Sequence, residues 1–201
     1  MRPPAFFDAV PPIVVHDALA EALGAVADGR IEYRYLDAVK LTGHSCPTVA
    51  GAYLMTRTAL ARLYPDGLPR RGDVRVELRQ ALDEGVAGVI GSVAGLITGA
   101  ANEGGFKGLA GRFGRQGLLR FGVPMAGEIR FTRVDTEQSV ELTHHPQAVP
   151  RPAALKSLLQ EATAPAADTA TRRAFAECWQ GWVRAILVEH ADDPGLIELA
   201  A

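Results

Sequence analysis

Cysteine is scarce: a chain of 201 residues holds two, Cys46 and Cys178. They stand far apart in different predicted elements, so no disulfide framework is expected and Cys46 is left free to act as a ligand. Neither sign of charge is in excess. Lys and Arg number 21 against 23 Asp and Glu, a net charge of -2 with an isoelectric point near 6.2. Such a chain has no overall field to recruit DNA, RNA or anionic lipid, and nucleic acid is not an expected partner. Long hydrophobic runs are missing too. The longest small-apolar stretch, Gly85 to Ala101, includes five glycines with Ser92 and Thr98, and is too short and too weakly apolar to span a bilayer. Near the start, the apolar residues are interrupted by Asp8, Pro11, Pro12 and His16. No secretory core is expected there, and the chain reads as cytoplasmic with no membrane association.

What is present is enough apolar material for one core, at 48% of residues, so a single domain over 1–201 is the expectation. Pro3 to Val15 reads as extended and Asp17 to Val26 as a short helix. Arg30 to Leu36 alternates Ile31, Tyr33 and Tyr35 with Glu32 and Arg34, the pattern of a half-buried strand leading into the Gly43 turn. Pro47 to Tyr64 carries apolar residues at helical spacing and stops at Pro65-Asp66-Gly67. Strands are predicted at Val74 to Leu78, Gly117 to Phe121, Glu128 to Val134 and Ser139 to Thr143, the last two as a hairpin. Helices are predicted over 152–161 and 168–190, with Phe175, Trp179, Trp182 and Ile186 on one face as core. The fold class is therefore α+β, a mixed or antiparallel sheet packed with helices and ending in a C-terminal helical segment. Val74, Val76, Ile129, Phe131, Trp179, Trp182 and Ile186 are the expected core, and Cys178 a small buried hydrophobe.

Chemistry concentrates in Gly43-His44-Ser45-Cys46-Pro47. Proline is favoured at the first position of a helix, which makes Cys46 the N-cap. There the free amides and the positive end of the helix dipole favour a thiolate. His44 lies two residues earlier, and on an extended segment residues i and i+2 project to one side, so imidazole and sulfur are placed to share a divalent ion, zinc above all. Zinc takes three or four protein donors, and Asp37, Asp83, Glu84, His144 and His145 are candidates for the remainder. A second feature is glycine: 13 of the 21 lie between Gly85 and Gly127. Within that stretch Gly104 to Arg115 combines flexible backbone with Lys107, Arg112 and Arg115, a candidate loop for a small anionic ligand.

The segment Lys40 to Gly51 resembles the H-G-H-x-C-P-G-x-x-x-G signature of the E-subunit family of formylmethanofuran dehydrogenase. Thr42 stands at the first histidine of the pattern and Thr48 at the glycine after Cys-Pro. Gly95-Leu96-Ile97-Thr98-Gly99-Ala100 and the glycines through Gly114 are similar to the small-residue helix and loop of that family, so the resemblance covers roughly 36–121. It implies an α+β domain, often a homodimer, with a transition-metal site at the helix start, in a metal-dependent enzyme or an accessory to a molybdenum or tungsten enzyme. The alternatives are a noncatalytic module that binds or delivers metal, or haem through the Cys46 thiolate, and a purely structural interaction protein.

Overall fold

The computed structural model describes residues 2–200, so Met1 and Ala201 of the expected 1–201 domain lie outside the described residues. After a 3-10 turn over Ala5–Ala9, strand β1 (Ile13–His16) pairs antiparallel with β2 (Arg30–Tyr33) in a ribbon of two strands, with helix α1 (Ala18–Ala22) between them. The second sheet has five strands in the order β4-β3-β5-β6-β7: Leu119–Arg120, Val74–Leu78, Ile129–Arg133, Ser139–His144 and Ile197–Leu199. Its pairings are antiparallel except for β3 with β4, so the sheet is mixed, as the α+β reading requires. Alternation puts Val74, Val76 and Leu78 of β3 and Ile129 and Phe131 of β5 in the core. The opposite face carries a ladder of charge, in which Arg130 bridges Glu77 and Glu141 at 2.9 and 3.2 Å.

Helices α3 (Pro47–Leu63) and α4 (Ala87–Thr98) cover the apolar face. The small residues of α4 are used within the chain: a Cβ on Gly91 would meet the ring of Phe121, and one on Gly95 the carbonyl of Ala100. Gly99, in the left-handed region at φ 75°, caps that helix. Helices α5 (Leu155–Ala162) and α6 (Thr169–Arg184) pack on each other, and α6 runs on through a wider π turn over Ala185–Glu189. Among the described residues no helix is long and apolar enough to cross a membrane.

Three expectations need correction. The strand predicted to reach Leu36 ends at Tyr33, and helix α2 (Tyr35–Thr42) follows. Asp37 turns the chain there by accepting the Arg34 amide at 2.9 Å, a capping interaction that outweighs the two-residue alternation. The helical C-terminal third also contains β7, which extends the sheet beside β6. Of the expected core residues, Val74, Val76, Ile129, Phe131, Trp182 and Ile186 are buried, whereas Trp179 is half-buried. Its indole leaves the core to bond the Ser45 carbonyl.

Candidate functional site

The turn between α2 and α3 has the geometry expected of a cysteine N-cap. Gly43 ends α2 at φ 76° with its amide on the Val39 carbonyl at 2.8 Å. Cys46 is extended, Pro47 is the first helical residue, and Sγ of Cys46 accepts the Val49 amide at 3.5 Å. The sulfur thus stands at the amino end of a 17-residue helix. Ser45 points the other way and locks the turn to the rest of the chain. Its hydroxyl donates to Oε1 of Gln180 at 3.0 Å and accepts from the Tyr35 phenol at 2.9 Å, while its carbonyl takes the Trp179 indole N–H at 2.9 Å and the Gln180 amide at 3.2 Å. Burial pushes the Tyr35 phenol well above its ordinary range, so it is a permanent hydrogen-bond donor. His44 is exposed, and its Nδ1 donates to the Thr42 carbonyl at 2.9 Å. In the neutral tautomer that bond puts the proton on Nδ1, and Nε2 is then the nitrogen open to a metal.

The other candidate ligands have different employment. Asp37 is divided between the Arg34 amide and Lys40, Glu84 accepts the Ala81 amide, and Asp83 is exposed. His145 pairs with Glu198 at 2.6 Å. Among the described residues no group of three or more His, Cys, Asp or Glu side chains is placed to hold a metal ion.

His144 closes β6 on the helix side of the sheet, and its ring packs against Gly51 of α3, where a Cβ would overlap the imidazole. Gly51 is thus required by contact rather than by backbone conformation. Counted from Cys46-Pro47, the final glycine of the family signature falls at Ala52, which is buried. Nε2 of His144 is buried with no hydrogen-bond partner among the described residues, and burial, helped by the neighbouring His145, lowers its pKa to about 4. Gly51, against which the ring packs, lies five residues beyond Cys46, about 7.5 Å along an ideal helix axis at 1.5 Å per residue.

The basic glycine loop resolves into a different site from the one its sequence outlines. Arg112 and Arg115 line a cleft of about 560 Å³ together with His16, Arg70, Arg71 and Phe113. Lys107 does not line it. Arg70 approaches Asp135 at 3.6 Å, and Asp135 also holds Arg133, which donates to the Leu63 carbonyl at 3.0 Å. None of the residues lining the cleft belongs to the Cys46 turn or to α3. Sequence reasoning missed Arg70, Arg71, His16 and Asp17 because they come from separate segments that only the fold brings together. The chain matches no protein-family model, and no curated protein matches it.

Proposed function

We propose that this is a cytoplasmic metal-binding protein resembling the E-subunit family of formylmethanofuran dehydrogenase, in which Cys46 and His44 hold a divalent transition metal, zinc first. One observation carries the reading: the Cys46 sulfur caps α3 on the Val49 amide at the amino end of the helix, two residues after the exposed His44. The Nδ1–Thr42 bond of His44 adds a free Nε2 on the solvent side. Two donors from one chain leave positions open, to be filled by water, by an exogenous ligand or by residues of a second copy, and an open position is what Lewis-acid chemistry in an enzyme or enzyme accessory needs. A homodimer is the assembly the resemblance favours. Noncatalytic delivery of metal is the alternative that uses the same ligands.

Elemental analysis of protein purified without added metal tests the assignment. Wild type and Cys178→Ser should carry near-stoichiometric metal, and Cys46→Ser should lose it. Equal metal in all three, or none in wild type after zinc is supplied, removes the proposal. Light scattering on the same samples should give twice the 21.4 kDa chain mass.

A further inference from the structure

Two of the arginines lining the 560 Å³ cleft, Arg71 and Arg115, are held by Asp17, which lines with them the adjoining pocket rather than the cleft itself. This carboxylate is 3% exposed and receives two guanidinium groups, Arg71 on Oδ2 and Arg115 on Oδ1, each at 2.8 Å. Arg115 is itself 6% exposed. It is threaded between Gly72 and Gly99, both at positive φ, and a Cβ on either would meet its guanidinium. Two largely buried cations thus share one anion, and the Nε–H groups of both arginines have no acceptor among the described residues. An uncompensated buried positive charge is costly unless another anion reaches it.

Beside the Asp17-bound pair, the cleft is lined by two cations less committed to other groups. Among the described residues, Arg70 has only the 3.6 Å approach to Asp135, and Arg112 stacks on Phe113 at 4.8 Å with no carboxylate in ion-pair range. Arg112 is presented by a hairpin closed by reciprocal Leu109 and Arg112 backbone bonds of 2.8 and 3.0 Å. Ala110 lies at φ 49° in its turn, and Phe113, just beyond, at φ 62°. Two non-glycine residues in the left-handed region store strain in the segment that carries the cation, and strain of this kind collects at binding sites. Among the described residues, the only carboxylate lining the cleft is the exposed Asp73.

The geometry points to a binding site for the phosphate group of a small phosphorylated molecule, held by Arg70 and Arg112 beside the Asp17-bound pair Arg71 and Arg115. The four guanidinium groups come from two segments of the chain, 70–71 and 112–115. A tetrahedral dianion offers more oxygens to such a set of donors than a planar carboxylate, which satisfies forks only in its own plane. The volume accommodates the phosphate with an organic portion of modest size beside the Phe113 ring. The site shares no lining residue with the Cys46 turn and does not depend on the metal assignment.

Calorimetric titration with inorganic phosphate, at fixed ionic strength in chloride and with a chelator present, tests it. Wild type should bind saturably at one site. Arg112→Ala and Arg70→Ala, neither of which disturbs the Asp17 pair, should each weaken binding about tenfold or more. Their melting in chloride alone should match wild type, while the rise in melting temperature with phosphate should be lost. Arg173→Ala, which removes an exposed cation on α6, should bind as wild type does. Absence of saturable binding to wild type overturns the site. So does malonate binding as tightly as phosphate, or an equal loss of affinity in Arg173→Ala, which would reduce the effect to bulk charge.

Discussion

His144 is kept neutral by where it stands rather than by a partner. Its folded pKa, about 4, lies below the ordinary 6.5 because burial penalises the imidazolium and His145 is close. Between those two values the unfolded chain binds a proton that the folded chain refuses. Stability is therefore full above pH 6.5 and falls as pH drops towards 4, by about 3 kcal/mol in total. Since Nε2 has no partner to lose, an apolar ring of similar outline should be tolerated at neutral pH. Denaturant titrations of wild type and His144→Phe at pH 7 and pH 5 check this. The variant should stay within about 1.5 kcal/mol of wild type at pH 7, and its own loss on acidification should be smaller. An identical loss in both proteins would place the acid sensitivity elsewhere. None of this shows in the dipeptide His144-His145, which reads only as two candidate ligands. The contact with Gly51 joins residues 93 positions apart, and no local pattern encodes it.

Elements differ in how openly the sequence declares them. Helix α3 was legible to within a residue, because Pro47 at its first position, an unbroken apolar stripe and the Pro65-Asp66-Gly67 stop all act locally. Strands β3, β5 and β6 were legible for a similar reason, since one apolar face against one charged face produces a period of two. Helix α2 was not, because Tyr35 continues the alternation of β2 by chance while the Asp37 cap decides the geometry. Strand β7 has three residues, too few for any period, and exists because β6 offers it an edge. On α6 the aromatic stripe divides along its length. Trp182 is 6% exposed, donates its indole N–H to the Val149 carbonyl at 3.2 Å and carries Arg151 over its ring at 5.1 Å. Trp182→Ala removes a large buried group with that bond and should cost about 3–5 kcal/mol. A loss under 1 kcal/mol in thermal or denaturant unfolding would mean that α6 is held by the Ser45 turn and not by its buried face.

At the scale of the whole molecule, the N-terminal ribbon is clasped to the loop that leads into β3. Backbone bonds of 2.8 Å run from the His16 amide to the Pro69 carbonyl and from the Arg71 amide to the His16 carbonyl, and the next residue, Asp17, accepts both arginines. Asp17 also caps α1 through the Leu19 and Ala20 amides. Burial alone would raise its pKa, but the Ala20 amide and the two guanidinium groups outweigh it, and the carboxyl titrates below its ordinary value of 3.8. Its contribution is therefore present above that value and lost as pH falls through the depressed one. Asp17→Asn separates the two roles, because asparagine caps a helix as well as aspartate does while giving up the charge. Removing one partner from a buried ion pair typically costs about 3–5 kcal/mol, since the remaining charge stays buried. Here two cations remain, so the loss should lie in that range, and Asp17→Ala should lose about 1 kcal/mol more with the cap. The same vacancy makes the variant sensitive to anions. If the cleft accepts phosphate, phosphate should stabilise Asp17→Asn more than it stabilises wild type, because the anion then meets two guanidinium groups with no competing carboxylate. Equal stabilisation of the two proteins in denaturant titrations with and without phosphate would show that the clasp and the cleft are energetically separate.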